Sequence, residues 1–304
     1  MATPPPPIPV AKPKKADALP AGGYAYEPKL DGWRAVVHVP AGVVHTASGA
    51  DITWRVPEIL DAARQLGGGL VLDGELVTYR DERIDFSPLM WGRARRRREG
   101  VAAYFVAFDL LAARGRDLRE QPYERRRDRL AAAVAGGAGL VQLMESTTDL
   151  ETGQGWISEE CATYGIEGAV AKPLRSRYVR GERCGWVKVK QYDTEDAVVL
   201  GVTGPVDHPA ALVLGQADDA GVVRVVGLST VLPTRIKTVL AGRLRPAGPR
   251  QKAPGILGGL PGAHDAFEFQ PVEPGIVVEV LADAAREWGR FRHRPRLLRV
   301  KPSG

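Results

Sequence analysis

Cysteine is almost absent from this chain, with only Cys161 and Cys184 among 304 residues. That scarcity excludes a disulfide framework and any zinc site built on cysteine pairs, and both residues are expected to be ordinary reduced thiols. The five histidines are scattered and show no metal-ligand spacing. No apolar run approaches the ~18 residues of a membrane helix, and the opening MATPPPPIPVAKPKK has no apolar signal core. A cytoplasmic protein with no membrane partner is expected. Nothing in the sequence signals self-association, so a monomer is expected too. What is present is ordinary globular composition: 44% hydrophobic and 26% charged residues, enough for a real core. The length is about twice the ~150-residue prior for one domain, so two domains are expected. Lys and Arg total 42 against 36 Asp and Glu, a net charge of +6 that suits a polyanionic partner without demanding one.

Residues 1–20 are rich in Pro and Lys and read as a flexible, weakly basic arm. From Tyr24 onward, short β-rich runs recur: WRAVVHV, GLVLDGELVTY, AYFVAFDLL, GAVAK and WVKVK. Helices are predicted between them over Pro57–Gln65, Pro122–Val134 and Ile157–Tyr164. Residues 21–192 therefore read as an α+β domain with mixed sheets. After Gln191 four β-rich runs follow one another with little helical periodicity, so residues 193–304 read as a small all-β barrel of OB size. Residues 241–262, dense in Pro and Gly, are expected to be an irregular surface loop.

The stretch EPKLDGWR packs Glu27, Lys29, Asp31 and Arg34 around Gly32. A lysine attacks a phosphoryl centre only as the neutral amine, and Lys29 is the candidate nucleophile. Asp73-Gly74-Glu75 closes an apolar run, and its carboxylates are expected to emerge where the strand turns, open to a ribose or a metal. Phe108 beside Asp109 offers a face on which a purine could stack. Glu167 opens the strand EGAVAK, with Lys172 leaving at its end, and Glu167 is a candidate metal ligand. Trp186, Lys188 and Lys190 fall on one face of WVKVK, and two cations directed into one cleft suit phosphates.

In order, EPKLDGWR, VLDGELV, YFVAFDLL, EGAVAK, WVKVK and the final GRFRHRPRLLRVKP resemble the covalent nucleotidyltransferases, and within them the compact bacterial ATP-dependent DNA ligases. The resemblance spans residues 24–301. It implies a nucleotidyltransferase (adenylation) domain followed by an OB-fold, ATP and a divalent cation (Mg or Mn) as cofactors, and nicked duplex DNA as substrate. It further implies that Lys29 takes AMP, with Glu27 at the adenine edge, Arg34 and Glu75 at the ribose and Phe108 against the base. Glu75 and Glu167 would hold the metal, Lys188 and Lys190 would neutralise phosphate, and Asp31 would orient a cation or a strand terminus. A repair polymerase or an end-binding protein is a partner consistent with this resemblance, although no residue names one.

Two departures from the family pattern stand out. Thr46-Ala47-Ser48-Gly49 lacks the arginine of the usual Ser-Arg-x-Gly, and Lys301-Pro302-Ser303 replaces a terminal Arg-x-Asp, which puts self-adenylylation in question. Arg93, Arg95 and Arg96 in the run up to Arg98, together with Arg292, Arg296 and Lys301, are candidate DNA contacts; the bland reading of that run is a solvated basic loop. Arg125–Arg127 with Glu124 and Asp128 is explained by i,i+4 pairing on a helix. Two alternatives remain open at this level: an RNA ligase or capping enzyme with the same lysine chemistry, and a DNA-end-binding accessory protein whose altered tail has silenced catalysis.

Overall fold

The β-rich runs become two sheets in the first of the two units into which the chain divides, Met1–Gln191 and Tyr192–Gly304. The computed structural model describes residues 2–135, 139–218, 220–254, 266–283, 286–287 and 289–301. In the first unit, β1 (Lys14–Lys15), β2 (Tyr24–Leu30), β10 (Ile166–Pro173) and β11 (Val187–Lys190) form a four-stranded sheet in the order β1-β11-β10-β2. Pro28 sits in β2 without breaking a ladder because β2 is an edge strand. The second sheet runs β4-β3-β5-β7-β8, from β3 (Trp33–His38), β4 (Val43–Thr46), β5 (Val71–Arg80), β7 (Ala103–Ala113) and β8 (Arg116–Asp117). Two short strands extend it: β6 (Arg83–Ile84) on β5 and β9 (Val141–Leu143) on β7.

Period-two alternation gives this second sheet two apolar faces. One carries Ala35, Val37, Leu72, Leu76 and Phe105, which cluster with Ile59 and Ala63 of α1 (Pro57–Gln65) and Leu130 of α4 (Tyr123–Val134). The other carries Val36, Val77, Val106 and Phe108, which cluster with Trp186 and Tyr178. Two short helices, α2 (Ser87–Met90) and α3 (Arg93–Arg98), follow β6, so the arginine run is helical rather than a loop. Helices α5 (Leu150–Gly155) and α6 (Glu159–Thr163) precede β10, capped by the side chains of Asp149 and Ser158.

Residues 2–20 are not a flexible arm. Ile8, Val10, Ala11 and Leu19 are buried, the Ile8 amide donates to Nε2 of His45 at 3.1 Å, and Nε2 of His38 meets the Pro4 carbonyl at 2.8 Å. The prolines made this segment look disordered by composition. Prolines also restrict the unfolded chain, so a few apolar anchors are enough to lay it down as a strap.

The second unit is organised by one long strand, β12 (Tyr192–Thr203). Its first half pairs with β17 (Val277–Asp283) and its second half with β13 (Ala211–Ala217), across a register shift between Val199 and Gly201. β14 (Val223–Leu228) joins β13 and β20 (Arg296–Val300) joins β17, while β16 (Phe267–Pro271) pairs with β12 and with β15 (Gln251–Ala253). β18 (Arg286–Glu287) and β19 (Arg290–Phe291) pair with each other. The helix α7 (Thr234–Leu240) went unnoticed in the sequence; it buries Ile236 and Leu240 in the core of this unit. Within the segment expected to be an irregular loop, β15 is a strand, and 255–262 lie outside the described residues.

Candidate active site

Between the two sheets of the first unit lies a cavity of about 220 Å³ lined by residues of both, among them Glu27, Lys29, Arg34, Glu75, Phe108, Lys172, Trp186 and Lys188. Lys29 Nζ donates to Oε2 of Glu167, and Lys190 Nζ approaches the same oxygen at 3.1 Å. Glu167 itself is 3% exposed. Its carboxylate therefore gathers two lysines from β2 and β11 onto the first residues of β10. Gly168 makes this approach possible, since a Cβ there would lie 2.1 Å from the Val189 carbonyl oxygen and its φ is +142°.

Lys188 lines the cavity beside these groups. Burial first, then the neighbouring charges of Lys29 and Lys190, hold its ammonium below the usual lysine range. Glu75 is pushed up to about 7: burial raises it, Lys29 and Arg34 pull it down, and Glu167 and Asp73 raise it again. Of these carboxylates Glu75 is the one that lines the cavity.

Asp73 does not emerge at a turn as expected. β5 continues to Arg80, and Asp73, beside a register shift against β7 at Asp73–Gly74, is fully buried. Gly74 has no room for a side chain: a Cβ would lie 2.5 Å from the Phe105 ring. Asp73 accepts a bidentate pair from Arg34, at 3.1 and 2.6 Å, and the Tyr178 hydroxyl at 2.5 Å. Burial, the largest single influence, lowers Arg34, but Asp73, Tyr178 and Glu75 together outweigh it and hold the guanidinium above its ordinary value. The Arg34 guanidinium lies 5.1 Å from the Phe108 ring centre and 5.6 Å from that of Trp186.

Glu27 is also buried, held by Lys172 at 2.5 Å and by the Tyr123 hydroxyl. Lys172 does not leave at the strand end. It is 1% exposed, donates to the Phe108 carbonyl at 3.3 Å and lies 4.2 Å from the Phe108 ring centre. Burial lowers its pKa despite Glu27. Trp186 immediately precedes β11 and lines the same cavity as Lys188; it is buried, with its Nε1 lacking a hydrogen-bond partner among the described residues. An orphaned donor of this kind costs about 1–3 kcal/mol.

The remaining sequence-derived residues fall elsewhere. Asp31 sits in the turn between β2 and β3, partly exposed, its amide donating to the Gly165 carbonyl at 3.0 Å; it is not among the cavity-lining residues. Arg93 and Arg95 are exposed on α3, paired with Glu58 at 3.4 Å and stacked over Trp91 at 4.2 Å respectively. Arg96 cannot serve a phosphate: it is 2% exposed and donates to the Trp91 and Arg55 carbonyls. The reason is helical phase, which turns one arginine of the run inward. Arg126 is likewise no surface partner; it is fully buried and bidentate on Asp109 at 2.7 and 2.9 Å. In the second unit, Arg296 is exposed, burial lowers Arg292 to about 10, and Lys301 pairs with Asp196. Pro302 and Ser303 lie outside the described residues.

Sequence reasoning missed Lys172, Tyr123 and Tyr178 as parts of the site, and expected Asp73 at a ribose or a metal rather than clamped on Arg34. Of the three missed, only Lys172 carried a signal, as a lysine at the end of an apolar strand.

Residues 10–190 match the family model of the ATP dependent DNA ligase domain. DNA ligase C2 of Mycolicibacterium smegmatis is 32% identical over 98% of this chain and 91% of its own length. DNA ligase C of Mycobacterium tuberculosis is 30% identical over 98% and 90%. In fold, the chain is similar to the ligase domain of M. tuberculosis LigD (24% identity, TM-score 0.53, 97% of this chain and 94% of that one). It is also similar to a Lig E DNA ligase (16% identity, TM-score 0.61, 95% and 99%). With the family model covering more than half of the chain and full-length relatives above the 30% level, the chain belongs to the ATP-dependent DNA ligases.

Proposed function

We propose that Lys29 is the amine through which this ligase carries AMP. The family joins a 5′-phosphate to a 3′-hydroxyl at a nick through lysyl-AMP. In the first step the lone pair of Nζ attacks the α-phosphorus of ATP, an N–P bond forms, the bond to pyrophosphate breaks and the amine loses a proton. AMP then passes to the 5′-phosphate of the nick, and the 3′-hydroxyl displaces it. The observation that carries the assignment is Lys29 itself, lining the cavity while its Nζ shares the Glu167 carboxylate with Lys190. Attack requires that ion pair to open and release the amine.

In this reading Lys188 and Lys190 stabilise the charge that builds up on the phosphate oxygens. Glu27, oriented by Lys172 and Tyr123, meets the adenine edge, Phe108 packs on the base, and Arg34 faces the ribose side. The metal fits the donor set. Among the described residues no group of three or more His, Cys, Asp or Glu side chains gathers as a resident metal cage. One or two carboxylates with substrate phosphates is how magnesium is usually held, and Glu75 and Glu167 supply that number. When bound, the ion would neutralise phosphate charge.

The second unit is read as an OB-fold. Its order β14-β13-β12-β17-β20, with α7 between the third and fourth of these strands in chain order, suits a partly open five-stranded barrel. Nicked duplex DNA is the substrate, with Arg93, Arg95, Arg292, Arg296 and Lys301 as candidate contacts and Arg96 withdrawn. ATP labelled at the α-phosphate tests the central assignment. Base-stable, acid-labile label is expected on the unaltered protein and none on Lys29→Ala; equal labelling of both overturns it.

A further inference from the structure

The strap of residues 4–16 touches the cavity at three places. The Ala11 carbonyl accepts from Arg34 Nη1 at 2.6 Å, while the Ala11 amide donates to the Tyr178 hydroxyl at 3.2 Å. That hydroxyl in turn donates to Asp73, the carboxylate that clamps Arg34. Arg34 is thus fixed by a closed ring of four groups, one of them supplied by the strap. Two residues on, Pro13 lines the cavity itself. Beyond it, the Lys14 amide donates to the Trp186 carbonyl at 2.9 Å and the Ala16 amide to the Lys188 carbonyl at 3.0 Å, in parallel register with β11. The strap therefore also holds the backbone that presents Lys188 and the orphaned Trp186 indole.

We infer that the strap is a working part of the nucleotide site: Pro13 is a contact wall for ATP, and Ala11 with Tyr178 positions Arg34 toward it. A strap needed only for stability had no reason to place its rigid ring in the cavity wall or its peptide groups on the Arg34 guanidinium and on the backbone of Lys188. Proline suits the wall because its fixed φ keeps that surface in place without a ligand. Tyr178 is a positioning residue, since it reaches the nucleotide through Asp73 and Arg34. The inference rests on the ATP reading above.

The test measures self-adenylylation across ATP concentration in the full chain, with the plateau of label counting competent molecules. In parallel, the rise in melting temperature caused by ATP is read, which needs no chemistry. Tyr178→Phe removes one hydrogen-bonding hydroxyl among charged groups, and KM for ATP is expected to rise about tenfold. Pro13→Gly, which removes the wall and leaves the fold's apolar anchors in place, is expected to raise it roughly threefold. In both, the rate at saturating ATP stays within about twofold and the thermal shift at fixed ATP shrinks. Unchanged KM and unchanged thermal shift in Pro13→Gly overturn the inference. So does a lowered plateau at unchanged KM, the signature of a merely structural strap. If the unaltered protein takes no label, the lysyl-AMP reading fails, and the thermal shift alone then decides the role of the strap.

Discussion

The two units differ in where the ion pairs among their described residues lie. In the first, Glu27, Asp73, Asp109, Glu167, Lys172 and Arg126 are buried, and their partners are cations or carboxylates of equal consequence. In the second, the ion pairs Arg299–Glu279, Arg224–Asp218 and Lys301–Asp196 stand at the surface, each with at least one partner well exposed. Burying a charge is costly unless it is paired and hydrogen-bonded, whereas a solvated pair is nearly neutral for stability. The contrast marks the first unit as the place where charge is held in low dielectric, around the cavity that Lys29, Glu75 and Lys188 line.

Glu167→Ala is expected to break that contrast most severely. Without the carboxylate that gathers Lys29 and Lys190, self-adenylylation should fall by about a hundredfold or more, measured by label incorporation at saturating ATP. Activity within a few-fold of the unaltered protein would show that the cluster is incidental. Next comes Asp109→Ala, which strands the buried Arg126 guanidinium. A loss of about 3–5 kcal/mol is expected in denaturant unfolding, against a buried pair with one partner removed.

Glu75→Gln sharpens the comparison through pH. The Glu75 carboxyl is raised from its ordinary 4.5 to about 7 in the fold, so between those values the native state holds a proton the unfolded chain has lost. Stability must therefore fall as pH rises from about 4.5 to 7, by at most about 3 kcal/mol at ~1.4 kcal/mol per unit. Glu75→Gln should remove that slope, leaving a variant more stable than the parent at pH 8 relative to pH 4. Parallel melting curves across pH would contradict the raised carboxyl. Lys301→Ala marks the small end: its pair with Asp196 is solvated, and a change of about 0–1 kcal/mol is expected in thermal unfolding.

How legible this was depended on whether a residue's role is local. The expected helix Pro57–Gln65 is present with those bounds, and Tyr123–Val134 begins one residue later than expected, because proline at the start and apolar spacing are properties of a few neighbouring residues. Lys29, Glu75, Phe108 and Lys188 meet at one cavity, as blocks in the right order implied. The pairings that hold those residues were illegible. Asp73 with Tyr178, Glu27 with Lys172 and Asp109 with Arg126 are separated by 105, 145 and 17 positions, and nothing in composition marks a charge that will be buried. The strap failed for a related reason. Its prolines and lysines read as disorder, yet Ile8, Val10 and Ala11 bury against sheets formed much later in the chain. Arg96 illustrates the limit within a single run: one helical turn decides which arginine is spent on backbone carbonyls and which remain in water.

The most direct measurement is peptide mapping by mass spectrometry after incubation of the protein with ATP and magnesium. AMP on the Nζ of Lys29 is the expected result, with Lys172, Lys188 and Lys190 unmodified. AMP carried by any of those three instead, or a fully unmodified chain that still seals nicks in the same tube, would contradict it.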